Sequence, residues 1–272
     1  MAQESIDEAL SGDVSPADSG ERPSYFLESL ERGLNVLECF DAQHPVLTLS
    51  EVATRLGIPR ATARRVLLTM TDLGYMAQDG RNFSLTPRVL SFGFSYLRNL
   101  PLPRVAQRHI EKLSLDLGEA VSVSILDGDR VVFISRTASP RLLNMAISVG
   151  TSFPAHATSS GKVLLANLSA ERREAFLATT QLLPYTKDTV IDRAVLGREL
   201  DAARERDWAV SVGELEGGML GAAAAIRTRS DTVLGAVTVE LPATRYTGSE
   251  LETILIPRLI ECARAIAVDS LT

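Results

Sequence analysis

Residues 48–67 read Thr48-Leu49-Ser50-Glu51-Val52-Ala53-Thr54-Arg55-Leu56-Gly57-Ile58-Pro59-Arg60-Ala61-Thr62-Ala63-Arg64-Arg65-Val66-Leu67, an order that spells two short helices and the turn between them. Thr48 and Glu51 have the spacing of a capping box, in which the hydroxyl meets a free amide of the first turn and the carboxylate reaches back. Gly57 stops that helix. After the Gly57-Ile58-Pro59 turn, Ala63, Val66, Leu67, Met70 and Leu73 share one face of the next helix. At about 100° per residue, Ala61, Arg64, Arg65 and Leu68 fall on the opposite face, with Arg60 at its leading edge. Two helices in this relation, the second presenting arginines from its first turns, make a helix-turn-helix.

Working outward, Leu30, Leu34, Leu37 and Phe40 follow helical spacing and end before His44-Pro45, which gives a preceding helix. Downstream, Tyr75–Gln78 and Arg81–Leu85 flank Asp79-Gly80, a two-residue hairpin signal. Residues 24–86 therefore read as a winged helix-turn-helix. Thr86-Pro87 opens a linker helix over 87–100, where Val89, Leu90, Phe92, Phe94, Tyr96 and Leu97 cover more than one face. So apolar a helix needs a partner, and its own copy in a dimer is the nearest candidate. Residues 1–23 mix Ser, Gly, Pro, Asp and Glu without apolar periodicity and read as a disordered acidic tail.

The remainder, 101–272, mixes strands and helices. Val121, Val123 and Ile125 alternate with serines, Asp127-Gly128 turns the chain, and Val131–Arg136 returns. Leu142–Val149, Trp208–Val212, Gly221–Arg227 and Leu234–Leu241 read as further strands. Lys162–Leu168, Glu171–Thr179, Val190–Arg206 and Ser249–Val268 read as helices. The mixed order predicts an α+β domain on one antiparallel sheet.

Charge becomes informative once it is located. The chain of 272 residues has a formal net charge of −6, but residues 1–22 hold six acids against Arg22 alone, so the body is nearly neutral. Between Arg55 and Arg65 stand four arginines and no acid, a positive stripe that the overall balance hides. Arginine suits such a face because its planar fork can grip a phosphate or bind guanine O6 and N7 together. Arg64 and Arg65 are the candidates for base or backbone contact and Arg60 for phosphate. Ala61 and Thr62 lie between them, and Arg81 sits at the wing tip. Cys39 and Cys262 are far apart and lie outside any close-spaced ligand motif, so neither a disulfide framework nor a structural zinc is expected. No apolar run approaches the roughly 20 residues of a spanning helix. The expected compartment is the cytoplasm, and no cofactor is expected.

Gly161-Lys162 lacks the flanking Gly and Ser/Thr of a phosphate loop. His156 near Ser159 and Ser160, with Glu214 or Glu216 to orient it, sketches a hydrolase-like enzyme, but no nucleophile elbow surrounds either serine. The run Pro154–Lys162 has another use. Small and hydroxyl residues opening a helix leave backbone amides free for a carboxylate. A plain N-terminal cap is the alternative.

Several of these segments resemble the IclR family of bacterial transcription regulators. Ser29–Leu34, Leu47–Ala53, Arg60–Arg65 and Phe83–Leu90 are similar to its winged-helix head, and His156–Ala166 with Glu214-x-x-x-Gly218 to its effector domain. The likeness runs over roughly 25–270 and is greatest to the Pca and Pob group, regulators of protocatechuate, 4-hydroxybenzoate and β-ketoadipate pathway genes. It implies a GAF-like effector-binding domain, a double-stranded DNA operator, a small organic acid effector, a homodimer that can pair into a tetramer, and no enzymatic activity. The family's pocket positions fall here on Ser159 and Ser160, on Gly221 and Ala222, and on Thr238 and Glu240, with His156 and Thr158 in the turn beside them. The small residues Ala222–Ala225 imply a wide apolar pocket. Glu240 in it would repel an anionic effector, so either it points away or the effector belongs to another class. A constitutive architectural DNA-binding module is a third reading, disfavoured by the near-neutral body.

Overall fold

The computed structural model describes residues 23–41, 43–137 and 147–270. All of the acidic tail but Pro23 lies outside them, as do residues 142–146 of the expected strand Leu142–Val149; Ile147, Ser148 and Val149 are described and are not strand. The chain divides into two compact units, the first ending at Arg98 and the second beginning at Asn99.

In the first unit, helix α1 (Glu28–Glu38) precedes strand β1 (Val46–Thr48), α2 (Leu49–Leu56) and α3 (Arg60–Asp72). Thr48 and Glu51 form the complete capping box, and Gly57 closes α2 in the left-handed region. Val36, Val52, Ala63 and Leu67 are buried in one core with Met76 and Phe83. Helix α1 is rotated from the sequence expectation. It turns Gly33 and Val36 inward, with Leu37 and Phe40 partly buried, and leaves Leu30 and Leu34 59% and 52% exposed. Close approach to Met70, whose Cε lies 3.0 Å from where a Gly33 Cβ would stand, sets that rotation.

The wing is β2 (Met76–Asp79) with β3 (Asn82–Leu85), and β1 adds to the far side of β3. Asp79 pairs with Asn82, so the loop is Gly80-Arg81 and not Asp79-Gly80. Gly80 is the residue that takes φ 58°, and the bend centres there. After a 3₁₀ turn at Pro87–Val89, helix α4 (Leu90–Asn99) has no buried residue. Phe92 stacks on Tyr75 at 5.4 Å between ring centroids, yet Phe92 and Phe94 remain more than half exposed.

The second unit opens with a helix that the sequence reading missed, α5 (Pro101–Leu117), which buries Leu102, Ala106, Ile110, Leu113 and Leu117. Strands β4 (Val121–Asp127), β5 (Arg130–Arg136) and β6 (Ser152–Pro154) follow, then α6 (Ser159–Ala166), α7 (Ala170–Thr179), α8 (Arg193–Arg206), β7 (Trp208–Val212), β8 (Met219–Arg227), β9 (Val233–Pro242) and α9 (Ile256–Asp269). The six strands form one antiparallel sheet in the order β6-β5-β4-β9-β8-β7. Helices α5 and α9 pack against β4 and β8, while α6 lies across β7, β8 and β9 and carries α8.

The alanines of β8 explain how close these layers come. Ala223 and Ala225 join the core under α6 with Val163, Leu164 and Leu200. Strand alternation turns Ala222 and Ala224 the other way. They are small because helices press on both faces, and they do not line a wide pocket. Gly161 is tightest, since a Cβ there would overlap the Ala155 carbonyl. Gly161→Ala is therefore expected to destabilise the second unit by about 1–3 kcal/mol, as overpacking does, read as a lower urea midpoint at unchanged m-value.

Candidate functional site

Each unit presents one site. In the first, Pro59 caps α3 and Arg60 occupies its first turn. Arg60, Ala61, Arg64 and Arg65 are exposed, Thr62 and Leu68 half-buried. Arg81 is exposed in the wing loop. Among the described residues none of Arg60, Arg64, Arg65 and Arg81 has an ionic partner. Arg88 differs. It donates to the Leu73 carbonyl at 2.6 Å and lies 4.8 Å over the Tyr75 ring, so it holds α4 to the wing.

In the second unit, a small cavity of about 50 Å³, open to solvent on one side, lies between the start of α6 and the sheet. Thr158 and Ser160 form its upper edge, and Gly221, Thr238 and Glu240 its floor. Phe133 and Phe153, in edge-to-face contact at 5.8 Å, supply an aromatic wall. Leu215, Glu216 and Met219 close another side. Thr158 caps α6 by accepting from the Gly161 amide at 3.2 Å. The amides of Ser159 and Ser160, in the first turn, have no backbone partner among the described residues.

Three predicted positions, Ser159, Ala222 and His156, fall outside the lining. Ala222 pairs with Val239 on the opposite sheet face, whereas Gly221 faces α6, its absent Cβ 2.8 Å from the Ser159 hydroxyl. His156 is buried outside the lining and shares a 3.1 Å hydrogen bond with the Leu183 carbonyl through Nε2. Burial pushes its pKa down. Neither serine bonds to it among the described residues, and Glu214 is committed to Lys162, so the sketched catalytic arrangement is not assembled.

Lys162 is the fully buried cation. Its Nζ lies 2.5 Å from Glu214 and 2.7 Å from Glu199. Burial raises the Glu214 pKa against the pull of Lys162. The Glu214 carbonyl accepts from the Thr189 hydroxyl at 2.6 Å, and Thr186 donates to Gly213 at 2.6 Å, so the loop that walls the cavity is tied down. Sequence reading met Lys162 only as a failed phosphate loop. It also missed Arg136, which donates to Ser122 at 2.8 Å and Glu240 at 3.2 Å. A lone acid in the apolar strand Val233–Pro242 was the available hint. Glu240 does face the cavity, and Arg136 offsets its charge.

A winged helix-turn-helix with free arginines, joined to a sheet domain with a largely apolar cavity edged by hydroxyls, defines a ligand-responsive class of DNA-binding regulator. Residues 29–80 match the IclR helix-turn-helix domain, and residues 94–268 match the family described as bacterial transcriptional regulator IclR C-terminal. The chain belongs to the IclR family of transcription regulators. The Pca regulon regulatory protein of Pseudomonas putida is 37% identical to it over 240 residues, 88% of this chain and 82% of that one. The p-hydroxybenzoate hydroxylase transcriptional activator of Acinetobacter baylyi is 33% identical over 90% of this chain and 92% of its own length. The crystal structure of an IclR homologue from Microbacterium hydrocarbonoxydans, complexed with 4-hydroxybenzoate, is similar with a TM-score of 0.74 and 27% identity, covering 89% of this chain and 99% of that one. The likeness to the Pca and Pob regulators of aromatic catabolism is thus found along nearly the whole chain, and nothing supports the hydrolase alternative.

The floor of the cavity has a pH signature. Burial pushes the Glu240 carboxyl up to about 7 from 4.5, more than Arg136 can pull it down. A carboxyl whose folded pKa is raised binds its proton better in the native chain, so its contribution is present below about pH 4.5 and is lost as pH rises through about 7. Glu240→Gln stays neutral throughout. The stability of this variant relative to wild type should therefore rise across that window, measured as the difference in urea midpoints between pH 4.5 and 8.

Proposed function

We propose that this chain is a cytoplasmic, non-catalytic regulator that binds a palindromic operator as a dimer and is controlled by an aromatic or dicarboxylic acid held beneath α6. The observation that carries the effector reading is the cavity itself, with hydroxyls and free first-turn amides at one edge and an aromatic wall beside them. A carboxylate at Thr158 and Ser160 would receive charge-assisted hydrogen bonds at a helix N-terminus. A ring would lie against Phe133 and Phe153. Support for an aromatic acid comes from the neighbour complexed with 4-hydroxybenzoate and from the Pca and p-hydroxybenzoate regulators among the relatives. No helix among the described residues is long and apolar enough to cross a membrane.

The DNA reading rests on Arg60, Ala61, Thr62, Arg64, Arg65 and Arg81, which share the recognition helix and wing tip. Arginine charges without partners are available to phosphates and to guanine edges. The dimer reading rests on α4, whose exposed Leu90, Phe92, Phe94 and Tyr96 suit a second copy; pairing of dimers would give the tetramer.

Arg64→Ala and Arg65→Ala should each weaken operator binding by about 1–3 kcal/mol where the side chain reads a base, with relaxed specificity at one position per half-site. Footprints on candidate promoters measure this, and no protected symmetric site for the wild type would defeat the operator reading. Ser160→Leu should fill the cavity and abolish effector binding in calorimetry while operator affinity holds. Equal effector affinity in that variant would leave the Thr158–Gly161 turn as a helix cap alone. Phe94→Asp should dissociate the dimer in sedimentation, since burying an unpaired charge is costly.

A further inference from the structure

The DNA reading uses the exposed side of α3 and leaves the groove beside it unexplained. That groove, of about 230 Å³, runs between α1 and α3, with Ser29, Arg32 and Gly33 on one side and Thr62, Arg65 and Thr69 on the other. No acid lines it. Arg32 is committed to Glu28, one turn back on its own helix, at 2.6 Å. Arg65 has no ionic partner among the described residues. The start of α3 is charged against its own dipole, since its first turn holds Arg60 and no acid. Arg60 and Arg64, four residues apart, add a like-charged pair that mildly destabilises the helix until an anion sits beside it. The chain carries such anions next door. Residues 1–22 hold Glu4, Asp7, Glu8, Asp13, Asp18 and Glu21 against Arg22 alone. They join the winged unit at Pro23, just ahead of α1, whose first turn supplies Ser29 to the groove. The residues from Asp13 to Pro23 can span up to about 33–36 Å, roughly three times the ~10–12 Å diameter of a helix.

We infer that the acidic segment 1–22 docks in the groove between α1 and α3 and against Arg60, Arg64 and Arg65, and that DNA must displace it. This rests on the DNA reading of the same face and adds what occupies that face before DNA arrives. Carboxylates take charge-assisted hydrogen bonds from guanidinium groups as phosphates do. Arg65 belongs both to the groove and to the recognition face, so the two occupants exclude each other. Each exposed ion pair is weak. Tethering compensates, because a segment joined to the unit it binds acts at an effective concentration on the order of millimolar. Displacement lowers affinity for every duplex by the same factor. Its effect is greatest in consequence for non-operator DNA, which is held by phosphate contacts alone and has little affinity to spare.

The test is fluorescence anisotropy of a short labelled duplex of arbitrary sequence, titrated with the full chain and with a full-length variant carrying Glu4→Gln, Asp7→Asn, Glu8→Gln, Asp13→Asn, Asp18→Asn and Glu21→Gln. The neutral-tail variant should bind about fivefold or more tighter at about 50 mM salt, and the gain should shrink toward about 200 mM as exposed pairs are screened. Long-range repulsion between the segment and DNA would give both results, so a double-mutant cycle decides. In an Arg65→Ala background a docked segment has lost a partner, and neutralising it should gain less than half as much. Repulsion that does not involve Arg65 would leave the gain unchanged. An unchanged gain, or none in either background, would overturn the docking and leave the groove to the DNA backbone. No binding of the duplex by any of these chains would overturn the DNA reading with it.

Discussion

Helix α6 lies closer to the sheet than ordinary side chains permit, and the second unit is organised around that approach. Gly221 passes under the Ser159 and Ser211 hydroxyls at 2.8 and 3.1 Å from its own missing Cβ, and Gly161 lets α6 close on the turn that precedes it, where a Cβ would meet the Ala155 carbonyl. With the helix this low, the residue after Gly161 has nowhere to go but inward. Lys162 is driven into the interior, where its charge requires partners. Glu214 and Glu199 meet it. Glu214 belongs to the loop between β7 and β8, so the ion pair brings that loop over the sheet and makes it a cavity wall. The cavity is what remains between a low helix, a pinned loop and a floor of small and polar residues.

The Lys162 cluster contributes more to position than to stability. Desolvating two or three charges offsets much of their attraction, and an apolar replacement of similar volume is often as stable. An apolar replacement would not choose one place for the loop. The ion pair does, because leaving Glu214 buried without Lys162 costs more than any small shift in packing recovers. Thr186 and Thr189 apply the same logic to the loop's backbone, whose carbonyls they occupy. The loop that walls the cavity is thereby held in one place relative to the start of α6.

How much of this was legible in the sequence depends on range. The helix-turn-helix was readable because its signals are local: Thr48 and Glu51 are three residues apart, and Gly57 ends the helix they begin. The hairpins were readable to within one residue, the glycine sitting at the bend itself. Strands β1 and β6 have three residues each, too few for alternation to register. Helix α5 has its apolar residues at helical spacing, but Pro101 and Pro103 at its start read as loop, although Pro is well suited to a helix's first turn. The alanines of β8 were misread because smallness has two causes, room for a ligand or room for a helix, and only the packing tells them apart. Arg136 and Glu240 are 104 residues apart, and no local pattern couples them.

The two units use charge in opposite ways, and their functions follow from that. In the winged unit Arg60, Arg64, Arg65 and Arg81 face solvent unopposed by any described acid, an arrangement that costs little in water and leaves them free for a polyanion. In the second unit the buried cations are matched: Lys162 by two carboxylates, Arg136 by Glu240. A small anion entering the cavity therefore meets no spare positive charge. In the proposed reading it would be held by hydroxyls, by first-turn amides and by the helix dipole, each a modest contribution. A tight cationic clamp would bind its ligand at every concentration and report nothing. A site of matched charges and oriented dipoles binds reversibly, and it moves a regulator between states only by its differential affinity for them.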